Sequence, residues 1–267
     1  MRWTIPKQQT FSDLSNAGKT AIAIVGLCVA LCLGLLLIHS VGEYQYEKAQ
    51  KYNTAVKAET AEMFNYAVDS QQGNVLASGN FTATPTVSIE DISGEYAKIV
   101  KTKERYTQHT RTYECGTEKN PRTCTEHYYT WDYHSKDVIT TPTLVFLERE
   151  YQSSLFSFGF EHRVGCEVIK ENCMMGYMYE DSSWFTSEGD LRWYYSVVDG
   201  TFWGTIFVTT LRGGINPVDK SVIDISQKTI TDTIKDVNST TSVTVGWWVW
   251  CIFCIVFFIG ALRAIKT

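Results

Sequence analysis

Charged residues and histidine are absent from two long stretches of this 267-residue chain. The runs are TAIAIVGLCVALCLGLLLI, residues 20–38, and SVTVGWWVWCIFCIVFFIGAL, residues 242–262. At ~1.5 Å per residue either is long enough to cross ~30 Å of hydrocarbon. Uncharged runs of this length at both ends argue against two core helices of a soluble protein. Trp247, Trp248 and Trp250 lie near one end of the second run, where indole rings suit the lipid headgroup level. The spacing of Gly26, Ala30 and Gly34 puts small residues on one face of the first helix, a pattern that lets another helix approach closely.

Concentrated positive charge is missing as well. Lys and Arg number 24 against 29 Asp and Glu, for a net charge of −5, and no basic cluster of the kind that phosphate recognition needs is present, which argues against nucleic acid as a partner. The basic residues that matter flank the apolar runs: Arg2, Lys7 and Lys19 against Asp13 at one end, Arg263 and Lys266 at the other. The tails carry +4 and the chain −5, leaving −9 for residues 41–241. Basic flanks stay inside, so both termini are expected to be cytoplasmic and residues 41–241 extracellular, periplasmic or lumenal. Ser40-Val41-Gly42 is a weak cleavage site after an unusually long apolar core, so residues 20–38 read as an uncleaved signal anchor.

Enzyme signatures are absent too. The chain has no G-x-S-x-G elbow, no H-E-x-x-H helix, no G-x-x-x-x-G-K loop and no dinucleotide fingerprint. His109, His127 and His134 lack the tight Cys or His pairs of a structural zinc site. Cys166, with His162 four residues before it, has no base or oxyanion donor that can be named. The expectation is a protein that is not an enzyme and that uses no cofactor, no metal and no catalytic set.

Eight cysteines are present. Cys28, Cys32, Cys251 and Cys254 fall in the apolar runs, leaving Cys115, Cys124, Cys166 and Cys173 in the polar middle. In an oxidising exterior these favour two disulfides. Of three connectivities the local one, Cys115 with Cys124 and Cys166 with Cys173, is expected. RTYECGTEKNPRTCTEHYYTWDYH, residues 111–134, then reads as a stapled hairpin, with Gly116, Asn120 and Pro121 as turn formers and Thr, Tyr and Trp in its strands. With Cys115 opposite Cys124, Tyr113 faces Glu126 and Arg111 faces Tyr128. On the other side Glu114 faces Thr125 and Thr112 faces His127. Both sides are partly polar, so the ribbon is expected to project or to lie in an interface, with Tyr128, Tyr129 and Trp131 as partner contacts.

The rest of the exterior segment divides in three. Ala49, Tyr52, Val56, Met63 and Ala67 form a helical stripe with Thr60 in the missing turn, and Ile223, Ile230, Ile234 and Val237 recur after Pro217. Between them lie roughly seven or eight strand candidates, with Asp199-Gly200 as a two-residue hairpin turn. The expected fold is a membrane protein with two transmembrane helices, juxtamembrane stalk helices and an extracytoplasmic α+β domain dominated by antiparallel β. Its divisions are a cytoplasmic tail (1–19), a span (20–38), a juxtamembrane helix (39–70), a disulfide-bearing β-rich domain (71–216), a second juxtamembrane helix (217–241), a span (242–262) and a tail (263–267). Asn80 in NFT and Asn238 in NST fit the glycosylation pattern, which has meaning in a eukaryotic secretory route.

KERYTQHTRTYE and EHYYTWDY resemble the Glu- and Tyr-rich strands, ending near a Trp, of the LUMA-type transmembrane protein family. EGDLRWYYSVVDG, residues 188–200, resembles a glycine-aspartate-hydrophobic-arginine strand of the same family through Gly189, Asp190, Leu191 and Arg192. The resemblance implies an N-terminal span before a large extracytoplasmic domain, and a membrane scaffold or organiser without catalytic residues. This chain has one span after its domain where the family has several, and its loop cysteines are not part of the family pattern.

The leading expectation is a membrane-anchored structural or interaction protein that sits in a lipid bilayer, forms homo-oligomers and binds a protein partner on the exterior side. The alternative is a subunit of an oligomeric two-span ion channel, since the topology resembles that of trimeric ligand-gated and acid-sensing channels. An ion path would then depend on backbone and hydroxyls such as Thr241, Ser242 and Thr244, because neither apolar run holds an ionisable acid, base or histidine.

Overall fold

The computed structural model describes residues 16–117, 120–170, 173–180, 186–239 and 241–266; most of the expected N-terminal tail, residues 1–15, lies outside this set. The chain forms two units, one of residues 1–54 with 234–267 and one of residues 55–233.

The first unit is helical. Helix α1 (Asn16–Thr54) is unbroken through 39 residues, and over Ile24–Thr54 it is long and apolar enough to cross a membrane. The C-terminal helix Thr241–Lys266 runs antiparallel to it. A Cβ added at Gly34 would overlap the Trp250 indole, and one at Gly26 would touch Phe257 at 4.0 Å. The small-residue stripe of α1 thus receives the aromatic side chains of the same chain's last helix, the close approach that missing side chains permit. Further along, the amides of Asn53 and Asn238 exchange two hydrogen bonds, each 3.0 Å long.

The expected juxtamembrane helix over 39–70 is two helices with a break. After α1 ends at Thr54, strand β1 (Val56–Ala58) pairs in parallel with residues 75–77. Helix α2 (Ala61–Asp69) then starts afresh, its first turn capped by Thr60, whose hydroxyl accepts from the Met63 amide at 3.3 Å. The apolar stripe continued through Thr60, but burial of Ala58 in the sheet and the cap at Thr60 outweigh helical periodicity. Phe64, Ala67 and Val68 of α2 pack into the core.

The β unit continues with β2 (Gly73–Thr84), β3 (Val87–Ile89), β4 (Ile92–Glu114), β5 (Thr123–Thr140), β6 (Thr143–Phe146), β7 (Arg149–Gln152), β8 (Phe156–Phe158) and β9 (His162–Arg163). Then come β10 (Cys173–Met174), β11 (Tyr177–Tyr179), β12 (Leu191–Asp199), β13 (Thr201–Leu211), β14 (Gly214–Pro217) and β15 (Ile223–Ser226). They form two mostly antiparallel sheets. The first runs β7-β6-β2-β13-β15-β8, with β1 beside β2 and β14 beside β13; the second runs β10-β11-β12-β4-β3, with β5 beside β4 and β9 beside β12. Phe81, stacked on Phe146 at 4.2 Å and on Phe202 at 5.1 Å, centres the first core. Ile92, Ile99, Tyr195 and Val197 build a smaller one against the second sheet.

Asp199-Gly200 is not the expected hairpin turn. β12 belongs to the second sheet and β13 to the first, so the chain crosses between sheets at Gly200. The Gly200 amide donates to Glu95 O at 3.1 Å, and its own carbonyl accepts from the Ala83 amide at 2.8 Å. A Cβ there would lie 2.9 Å from Thr86 and 3.0 Å from the Glu95 carbonyl. Glycine is needed for this close passage of three backbones rather than for a tight turn. The expected second juxtamembrane helix over 217–241 also contracts. Ile223 and Ile225 alternate with exposed Asp224 as strand β15, and helix α3 (Ile230–Asn238) begins only after Thr229, whose hydroxyl caps the Asp232 amide at 3.1 Å. The helix that follows it, Thr241–Lys266, is α4.

Candidate interaction surface

β4 and β5 stay paired from Lys98–Thr140 to Glu114–Thr123, whereas β12 accompanies β4 only to Arg105. From Tyr106–Trp131 to Glu114–Thr123 the two strands therefore run on as a ribbon with no third strand among the described residues. At ~3.4 Å per residue it extends for about 30 Å.

Its tip shows why the expected register is wrong by two. The Asn120 amide donates to Thr117 O at 2.8 Å and the Cys115 amide to Arg122 O at 2.9 Å, so Cys115 stands opposite Arg122. The Cys115–Cys124 disulfide is diagonal, with a Cα separation of 5.8 Å. Tyr113 accordingly faces Cys124, Arg111 faces Glu126, Thr112 faces Thr125 and Thr110 faces His127. A slip of two residues preserves which side each residue is on, because side chains alternate with period two. The turn set the register, and the diagonal reach of a disulfide tolerated it.

One side of the ribbon runs into one face of the second sheet as a cluster of rings and guanidinium groups. Tyr129 stacks on Tyr106 at 5.3 Å, and Tyr106 lies 5.1 Å from Trp131. The Arg192 guanidinium sits 4.3 Å from the Trp131 ring and 3.9 Å from that of Tyr177. Arg163 lies 3.9 Å from the Tyr177 ring as well and 4.4 Å from that of Tyr194. Tyr177 and Tyr194 also meet edge to face at 5.7 Å, so the cluster of Tyr194, Arg163, Tyr177, Arg192 and Trp131 draws on β12, β9, β11, β12 and β5. Arg192 Nε donates to Glu104 at 2.7 Å, with side chains only 16% and 18% exposed. Arg163 donates to Gly176 O at 3.0 Å, and the Gly176 amide donates to Cys166 Sγ at 3.2 Å. The second disulfide, Cys166–Cys173, closes this loop with a Cα separation of 5.4 Å. Cys166 is therefore a structural half-cystine and not a free thiol.

The opposite side carries different chemistry. His109 Nε2 pairs with Asp132 at 2.6 Å and stacks on Tyr128 at 5.4 Å, while Arg111 pairs with Glu126 at 2.8 Å. Hydrogen bonds from Thr130 and then His109 hold the Asp132 carboxyl below the usual range. Glu104 pairs with Tyr133 and Lys103 with Ser135, so His134 is the extra residue of a bulge. His109 and His127 lie on opposite sides, and His127 Nδ1 is engaged by Thr110 at 3.0 Å. Among the described residues no three His, Cys, Asp or Glu are grouped to hold a metal.

Under the sheet, Asp91 accepts from the Tyr195 hydroxyl and from Lys101 Nζ at 3.0 Å, while Lys101 lies 4.7 Å from the Trp193 ring. The Tyr195 bond and then Lys101 lower the Asp91 pKa. A carboxylate with a depressed folded pKa adds stability that is present above its unfolded value, ~3.9, and is lost as pH falls through the lower folded value. Acid unfolding is therefore expected below about pH 4. Asp91→Asn should flatten that limb of a plot of unfolding midpoint against pH, and an unchanged slope would remove Asp91 from the account. Burial, and then the Asp91 bond, raise the Tyr195 pKa, so its contribution is present below ~10 and lost above.

The three expected contact residues do not share a surface. Tyr129 and Trp131 are on the stacked side and Tyr128 is on the histidine side. Tyr128 and Tyr129 are 42% and 43% exposed, whereas Trp131 is half-buried within the stack. Arg192, singled out in the sequence only by resemblance, is interior to the sheet between β11 and β4, and Asp190 closes the preceding turn, accepting from the Ser187 amide at 2.6 Å. Arg163, Tyr177 and Tyr194 were not singled out by sequence; the only trace is the period-two pattern in Tyr177-Met178-Tyr179 and Arg192-Trp193-Tyr194. Chemically the surface offers rigid rings, planar cations and hydrogen-bonding hydroxyls, the side chains that dominate protein interfaces. Comparison of the chain with family models, with curated proteins and with solved structures returned no match.

Proposed function

We propose that this is a membrane-anchored structural or interaction protein whose exterior β domain binds a protein partner or further copies of itself. α1 and α4 are its two spans, both tails are cytoplasmic, and residues 41–241 lie outside, where the two disulfides last. The apolar side chains of α4 support the second span: Trp248, Val249, Ile252 and Val256 are all exposed, and such a surface calls for lipid. The observation that carries the proposal is the β4–β5 ribbon, which projects past its sheet with aromatic residues on both sides and a disulfide at its tip. The resemblance to LUMA-type proteins points the same way, toward a scaffold.

A channel subunit is the second reading, favoured by α1 running unbroken from its apolar segment to Thr54, which would couple an exterior domain to a pore. Native mass of the protein in nanodiscs, followed by imaging of the same particles, separates the two. The interaction reading expects an assembly held through the ribbon. Ala at both Tyr128 and Tyr129 should then weaken association by about tenfold or more, as loss of an interface aromatic costs ~2 kcal/mol. An unchanged assembly in the folded double variant would remove the ribbon from the contact. A closed ring with α4 lining an axis would favour the channel.

A further inference from the structure

We propose that Asn80 carries an N-linked glycan and that Asn238 does not, an inference that rests on reading residues 41–241 as exterior. In β2 the buried Phe81 points into the core while Asn80 and Thr82 on either side are exposed. Alternation along the strand thus presents the acceptor amide and the hydroxyl two residues on to the same solvent side. The Asn80 side chain makes no hydrogen bond among the described residues. Directly across the ladder from it is Trp203, 38% exposed. Cβ atoms of directly opposed residues lie ~4.5–5.5 Å apart, so the first sugar can rest its C–H face on the indole.

Asn238 is placed differently. Its amide is held by two hydrogen bonds to Asn53 at 3.0 Å. It is also the last residue of α3, with α4 beginning at Thr241. Asn238 is thus tied to α1 and stands three residues before a helix read as a span, too close to the bilayer for a transferase to reach it.

The chemistry is a displacement at the anomeric carbon of an oligosaccharide activated as a polyprenyl pyrophosphate. The Asn80 Nδ2–C1 bond forms as the C1–O bond breaks, the polyprenyl pyrophosphate leaves with the electron pair, and the one proton the amide gives up passes to a basic group of the transferase. A glycan here covers the exposed part of this face around Asn80 and Trp203, and leaves the second sheet and its ribbon open to contacts with other chains.

The test uses the full-length protein made in a eukaryotic cell line that N-glycosylates its secretory cargo, with intact mass and peptide mapping before and after peptide N-glycosidase. The expected result is one glycan, lost in Asn80→Gln and in Thr82→Ala and retained in Asn238→Gln. Trp203→Ala should keep the glycan but release it to the glycosidase several-fold faster from folded protein, and equal rates would overturn the stacking. A glycan on Asn238, or none on Asn80 in protein whose four exterior cysteines are disulfide-bonded, overturns the assignment while leaving the topology standing. An unmodified chain with those four thiols free overturns the exterior placement and the inference with it.

Discussion

Arg192→Ala is expected to lower the stability of the β unit by about 3 kcal/mol or more, because it leaves the largely buried Glu104 carboxylate without its partner. The same change removes the cation between Trp131 and Tyr177, and each such contact contributes ~0.5–2 kcal/mol, depending on its exposure. Arg192→Lys keeps the charge but loses the planar group that lies against both rings while donating edge-on to Glu104, so it should fall between wild type and alanine. Urea unfolding followed by the circular dichroism of the β unit reads both variants. A loss below ~0.5 kcal/mol, the range of an ordinary surface substitution, would mean that the stack is decoration on a sheet held by its ladders and core.

The second large effect is in the helical unit. Gly34→Leu puts a side chain where the Trp250 indole lies, and the obstructing atoms belong to a rigid ring rather than the end of a flexible chain. Overpacking of a fitted interior costs ~1–3 kcal/mol, and the upper end is expected here. Trp250→Ala opens the space on the other helix, so it should restore much of what Gly34→Leu loses when the two are combined, although each alone is damaging. Unfolding of the protein in detergent, read as a double-mutant cycle, measures this. Simple additivity would show that α1 and α4 do not meet at these residues. Gly26 gives an internal comparison: Phe257 is at ordinary contact distance from its Cβ position, so Gly26→Ala should be mild.

Tyr128, Tyr129 and Trp131 are close in sequence, but strand alternation sends Tyr128 to the side of His109 and Asp132 while Tyr129 and Trp131 join Tyr106. The alternation of a strand, legible in the sequence, is enough to separate them. What the sequence did not show was that Trp131 has Arg192 against it, some sixty residues later in the chain, because no local signal marks which distant strand will lie alongside.

By itself the sequence determined the features that arise from contiguous residues: the apolar run of α1, strand character through the ribbon, the side on which each ribbon residue lies, and two disulfides closed over short loops. Each depends on composition or on spacings of a few residues, where backbone geometry leaves few alternatives. Tertiary structure alone decided the break between α1 and α2, the short span of α3 within the helix expected over 217–241, the passage between sheets at Gly200 and the assembly of Arg163, Arg192 and their rings. In each of these cases a local preference competed with pairing or burial against a remote segment. The remote contact prevailed because a buried strand satisfies every backbone group and removes apolar surface from water, which outweighs the few tenths of a kcal/mol per residue that helix periodicity or turn propensity supplies.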